Sequence, residues 1–180
     1  IVMTPKSLLR HPKSVSSREE FSKGSFLRVI ADSDPARRRS VKRILLCSGK
    51  IYFDLDHKRQ ELGRDDVAII RLEQLYPFPE KPMQSLLPEY PAATPLTWVQ
   101  EEPENMGAWW YLNLRFNQRV LGNRPVSVVA RAPAASPATG SATRHKEQQQ
   151  LLLNQAFGIS ADAPSSQQES TADVLTAAGE

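Results

Sequence analysis

Cysteine is almost absent from this chain: Cys47 is the only one in 180 residues, so an internal disulfide is excluded. Cys47 follows Ile44, Leu45 and Leu46, a setting expected for a small buried strand residue rather than for a nucleophile, which needs a base beside it. Histidine is scarce as well. His11, His57 and His145 have no metal-ligand spacing between them, so no metal site is expected within the chain alone. No apolar run approaches the roughly 18 residues of a membrane-spanning helix. The N-terminus has charges but no apolar stretch of the secretory type. Ser48, Gly49, Lys50 and Ile51 lack both the GxGxxG and the Walker A spacings, which favours a plain strand-to-helix turn over a phosphate loop. An initiator methionine is missing too. The chain opens with Ile1, Val2, Met3, Thr4 and Pro5, and reads as one end of something larger.

Apolar residues (40%) and charged residues (24%) are in proportions that suit a soluble core, and the length allows one domain with extensions. The net charge of +3 is unevenly spread: residues 1–60 hold 14 Lys or Arg against six Asp or Glu, residues 61–120 five against nine. The basic excess peaks at Arg37, Arg38, Arg39, Lys42 and Arg43. No aromatic interleaving or recognition helix accompanies it, so a solvated loop or subunit contact is expected there rather than a nucleic-acid surface.

The apolar pattern predicts four strands alternating with four helices. Residues 42–48 predict a buried strand, and Gly49 permits a tight departure from it. Residues 50–63 carry Ile51, Leu55, Arg59 and Leu62 at helical spacing, with Gly63 as C-terminal cap. Val67–Leu72 is continuously apolar apart from Arg71, as in a strand covered on both faces of a parallel sheet. After a rigid connection at 76–79, Met83, Leu86 and Leu87 form a helical face closed by Pro88. Residues 96–100 predict a third strand. Glu102 or Asn105 is expected to cap the next helix, with Pro103 in its first turn. Trp109, Leu112, Phe116 and Val120 form a buried stripe ended by Gly122. Residues 126–130 predict a fourth strand, 132–140 an extended loop, and Thr143 the cap of a last helix through Phe157, stopped by Gly158. This order favours a three-layer α/β domain over residues 41–158 with a largely parallel mixed sheet. Residues 13–40 read as a linker and 159–180 as a disordered tail.

Three clusters are candidates for function. Glu101 and Glu102 follow a strand, but neighbours on a strand face opposite ways, so a helix-terminus charge or interface ion pair is favoured over an acid–base pair. Trp109, Trp110 and Tyr111 cannot all face one core, which leaves an interface reading open beside plain packing. Arg131, Ser136, Thr139, Arg144 and His145 surround the exit of the fourth strand and the start of the last helix, where open α/β sheets bind ligands. An anionic regulator or nucleotide is one reading of this last cluster. Interface salt bridges from the arginines are the other, and the favoured one.

Several stretches together resemble the C-terminal region of the 2-oxoglutarate dehydrogenase E1 family. They are IVMTPKSLLRHP at 1–12, CSGKIY at 47–52, RLEQLYPFP at 71–79, QEEPENMGAW at 100–109 and RAPAASPATG at 131–140, followed by His145 and the glutamines Gln148, Gln149 and Gln150. Ala130 and Ala134 stand where that family commonly has glycine and serine. The resemblance implies that residues 1–12 close a pyrimidine-binding domain and that 41–158 form a transketolase-like C-terminal domain. It implies an enzyme that uses thiamine diphosphate and Mg²⁺ to decarboxylate 2-oxoglutarate, then reductively succinylates the lipoyl group of the E2 succinyltransferase, with the E3 flavoprotein reoxidising that group in the tricarboxylic acid cycle. The nearly identical 2-oxoadipate-type enzymes are an alternative, since the substrate pocket lies outside this segment, and a noncatalytic association module is the reading from a different class. The resemblance further implies an E1 homodimer, no nucleic acid or membrane partner, and a location in the bacterial cytoplasm or the mitochondrial matrix. The family's Gly-Asp-Gly cofactor motif has no counterpart here. No catalytic, cofactor-binding or metal residue is therefore expected in this segment, and none of its histidines takes over the family's substrate-handling role. Dimer contacts, support of the active site and a regulatory nucleotide or acyl-CoA site are the roles implied for it.

Overall fold

Beta-branched and leucine-rich runs form the centre of a five-stranded sheet in the order β1-β3-β2-β4-β5. The computed structural model describes residues 1, 3–117, 124 and 126–159, without the side chains of residues 116 and 117. The strands are β1 (Val29–Ile30), β2 (Arg43–Cys47), β3 (Val67–Leu72), β4 (Leu96–Pro103) and β5 (Val126–Arg131). β2 pairs in parallel with β3 and β4, and β4 in parallel with β5; only β1 runs antiparallel, with Val29 opposite Leu72. The helices are α1 (Arg18–Lys23), α2 (Ile51–Leu62), α3 (Glu80–Leu86), α4 (Trp109–Asn117) and α5 (Ala142–Ala156). The α/β class and the mostly parallel sheet are those expected from the sequence.

Successive strand residues point to opposite faces, and both faces are apolar. Ile44, Leu46, Ala68, Ile70 and Trp98 pack with Met83 and Leu86 of α3 and with Trp109 and Leu112 of α4. Leu45, Cys47, Val67, Ile69 and Val99 pack with Ile51 and Leu55 of α2 and with Leu152, Leu153 and Ala156 of α5. Three layers result. Gly63 closes α2 in the left-handed conformation at φ 61°, its N–H donating to the carbonyls of Arg59 and Gln60. The last turn of α5 is tied down by two cations: Arg43 donates to the carbonyl of Ala156 and Arg64 to that of Phe157, each at 2.9 Å.

The stretch read as a linker, 13–40, supplies β1 and a buried carboxylate. Asp32 accepts the backbone N–H of Ile69 at 2.9 Å and a hydrogen bond from Arg59. The basic run that follows lies at the surface and is tied to acidic groups and a carbonyl around it. Arg37 pairs with Asp34 and Asp65, Arg38 with Glu89, and Arg39 donates to the carbonyl of Pro88.

Two helix starts differ from expectation. β4 runs on through Glu102 to Pro103, and α4 begins only at Trp109, so neither Glu102 nor Asn105 caps it and Pro103 is not in its first turn. The reason is Gln100, whose side chain organises the intervening loop. Its amide oxygen accepts from the Trp98 indole at 2.9 Å and from the backbone N–H of Trp109 at 3.1 Å. Its amide nitrogen donates to the carbonyls of Met106 at 2.7 Å and Pro103 at 3.1 Å. In α5 the cap is Ser141, which accepts from the N–H of Arg144, and Thr143 lies inside the first turn. Of the predicted stripe, Trp109 and Leu112 are buried. The Phe116 side chain, Val120, Gly122 and the tail from residue 160 lie outside the described residues.

Candidate functional site

β5 ends at Arg131, and the chain then runs through the Ala/Pro/Ser loop into Ser141 and α5. This path walls a cavity of about 300 Å³ lined by Arg131, Ser136, Thr139 and Arg144, together with Pro103, Gln148 and the alanines and proline of the loop. Four of the five predicted anion-site residues thus share one cavity. The fifth, His145, stands behind it and contacts Arg131 instead.

Arg131 is the centre of this site. The residue is only 9% exposed. Its Nη2 reaches Nδ1 of His145 at 3.2 Å and Oε1 of Gln149 at 2.9 Å. A guanidinium only donates, so Nδ1 of His145 is the acceptor of this contact. The Nε of Arg131 has no hydrogen-bond partner among the described residues. A buried, unpartnered N–H is a donor in need of an acceptor. Arg144 is exposed, and its side chain makes no ion pair or hydrogen bond among the described residues. Ser136 donates to the carbonyl of Ala138 at 3.0 Å and Thr139 to that of Ser141 at 3.0 Å, so both hydroxyls shape the loop. The loop is fastened to the end of β4 by Asn105, which donates to the carbonyl of Ala134 at 3.0 Å and accepts its N–H at 3.1 Å. The cavity is lined by two guanidiniums, those of Arg131 and Arg144, the equipment for an anion.

Sequence reading missed Gln149, Asp54 and Asn105. The run of three glutamines was the available signal. Only its middle member joins the half-buried network around Arg131, because helical spacing places it one turn beyond His145.

The other clusters resolve differently. Lys50, at the N-terminus of α2, pairs with Glu101, which leaves Glu102 the more exposed of the two carboxylates. Lys50, Glu101 and Glu102 all line a crevice of about 550 Å³ at the carboxyl ends of β2 and β4. Burial pushes the Cys47 thiol up to about 12, chiefly by desolvation, so it stays protonated at neutral pH. Trp109 is buried, Trp110 is 58% exposed, and Tyr111 is half-buried with its ring 6.1 Å from that of Tyr76. Leu114, one turn after Trp110, is also exposed, as is Tyr76. Among the described residues no three His, Cys, Asp or Glu side chains gather as metal ligands. Lys50 is engaged with Glu101, and the residues present do not fit a Mg²⁺–diphosphate group.

The 2-oxoglutarate dehydrogenase C-terminal family matches residues 15–157. The chain belongs to that family. Its relatives include the 2-oxoglutarate dehydrogenase E1 components of Cupriavidus necator, 43% identical over 157 residues, and Azotobacter vinelandii, 42% identical over 163. A probable 2-oxoadipate dehydrogenase complex component E1 homolog of Dictyostelium discoideum is 41% identical over 161 residues. These alignments cover 87–88% of this chain but only 16–18% of each relative, so the chain spans about a sixth of their length. Within the family segment fall β1, all four parallel strands and the Arg131 cavity; residues 1–14 precede it.

Proposed function

We propose that this chain forms the C-terminal part of an E1 component that decarboxylates 2-oxoglutarate and reductively succinylates the lipoyl group of E2, within an assembly that also includes E3. The observation that carries this reading is the family match across residues 15–157, joined to identities above 40% with named E1 components. In such an enzyme thiamine diphosphate with Mg²⁺ supplies the electron sink that a 2-oxo acid needs to release carbon dioxide. No described residue of this chain fits that group. Its share in the reading is structural and regulatory: Trp110, Leu114 and Tyr76 form an apolar surface suited to a dimer contact, and the Arg131 cavity receives an anionic effector of nucleotide or acyl-CoA type.

A second substrate, 2-oxoadipate, is favoured by one observation, the 41% identity to the Dictyostelium relative. The test is carbon dioxide release from each 2-oxo acid by the complete enzyme carrying this segment, beside the same assay on the 180-residue chain. Turnover of 2-oxoglutarate by the former only is expected. Turnover by the isolated chain overturns the structural role, and preference for 2-oxoadipate moves the enzyme to the second substrate. For the effector site, Arg131→Ala is expected to weaken coenzyme A binding with the dimer unchanged. Unchanged binding with a displaced monomer–dimer equilibrium makes the arginine an interface residue.

A further inference from the structure

Arg131 does not stand alone at its cavity. Oε1 of Gln149 accepts from its Nη2, and Nε2 of Gln149 donates to Oδ2 of Asp54 on α2, both at 2.9 Å. An ionised carboxylate only accepts, so Asp54 dictates which end of the Gln149 amide faces it. The amide oxygen is thereby turned toward the guanidinium. Asp54 holds Gln149, Gln149 holds one edge of Arg131, and His145 shares that edge. The neighbouring Nε, on the same edge of the guanidinium as Nη2, is left unpartnered. An amide at this position fixes the plane of the fork without neutralising its charge, as a carboxylate would.

We infer that Gln149, oriented by Asp54, is the positioning residue that presents Arg131 to an anion in the cavity. This rests on the anion-site reading given above.

The test uses the full chain, with coenzyme A and inorganic pyrophosphate as probes in calorimetry. Gln149→Leu is expected to weaken both by about tenfold, the scale of one lost hydrogen bond to a charged group. Asp54→Ala is expected to weaken them severalfold, and Asp54→Asn, whose carbonyl still accepts from Gln149, to restore most of the affinity. Gln149→Glu is expected to weaken binding most, since its charge opposes the probe and Asp54. Nitrogen-15 signals of the Arg131 guanidinium, recorded without probe, are expected to report hindered rotation in the unaltered chain and free rotation in Gln149→Leu. Melting curves identify any variant that fails to fold, and the Asp54 pair then decides, because it lies at the far end of the relay. Loss of binding in Arg131→Ala with full affinity in Gln149→Leu or Asp54→Ala overturns the positioning role and leaves the anion site standing. Full affinity in Arg131→Ala, or no binding of either probe by the unaltered chain, overturns the anion site and the positioning role with it.

Discussion

The carboxylate of Asp32 accepts the backbone N–H of Ile69, 37 positions downstream, at 2.9 Å. Asp32 also receives Arg59 from α2, and both side chains are almost fully buried. One residue at the edge of the sheet thus ties β1, β3 and α2 together. Asp32→Ala strands the Arg59 guanidinium beside a single remaining carboxylate, Asp56. The expected loss is about 3–5 kcal/mol, the range for a broken buried ion pair, read from urea unfolding at neutral pH. A loss below 1 kcal/mol would show that water reaches Arg59 and replaces the pair.

Acid acts on the same region through Asp56. Its burial opposes ionisation, but hydrogen bonds and charge from Lys13 and Arg59 outweigh that and hold its carboxyl below the usual carboxylate range. Asp66 is lowered likewise, first by its hydrogen bond from Arg64. A folded-state pKa below the unfolded value adds stability that is present above the unfolded value, about 3.9 for Asp, and lost as pH falls through the folded one. Stability is expected to decline as pH drops below about 4, and Asp56→Asn to flatten that decline while lowering stability at pH 7. Equal slopes for both proteins in a pH series of urea midpoints would contradict this.

Gln100 has no conservative replacement. Gln100→Glu keeps acceptors for Trp98 and Trp109 but removes the donor to the carbonyl of Met106, while that of Pro103 keeps the backbone N–H of Met106 at 2.8 Å. A loss of about 1–3 kcal/mol is expected from the stranded acceptor. Gly107, at φ 69°, lies against the same amide, where an added Cβ would come within 3.0 Å of its terminal atoms. Gly107→Ala is expected to lose about 1–2 kcal/mol. Thermal unfolding monitored by tryptophan fluorescence measures both, since Trp98 and Trp109 flank the loop.

Trp110 and Leu114 share one exposed helix face. Trp110→Ser removes apolar area without disturbing the buried Trp109 or Leu112, so folding stability is expected to change by less than about 0.5 kcal/mol. Sedimentation is expected to move toward monomer. An unaltered sedimentation profile, with the same unfolding midpoint, would remove this face from the dimer contact.

The parts legible in the sequence were those set by runs of side chains. Val67–Leu72 and the core of β2 follow from unbroken apolar stretches, and α2 follows from Ile51 and Leu55 with Gly63 at its end. The parts that were not legible depend on groups brought together from afar. β1 is two residues long and held by backbone pairing with β3, which leaves no periodic trace. The start of α4 is set by Gln100, nine positions away, where local capping rules look only three or four residues back. At the candidate site, the strand exit and helix start drew attention to Arg131, Ser136, Thr139 and Arg144. Gln149 and Asp54 meet only because α5 lies across α2, and no local pattern carries that contact.

The packing of α5 has a consequence for synthesis. Leu152, Leu153, Ala156 and Phe157 cover one face of the sheet together with α2, yet they are translated after every strand they cover. A nascent chain that has released β5 but not Phe157 therefore carries a complete set of strands with half of one layer open to solvent. During that interval the apolar side chains of Leu45, Ile69 and Val99 are short of their final cover, and the ribosome-bound chain is a substrate for chaperones that bind exposed hydrophobic surface.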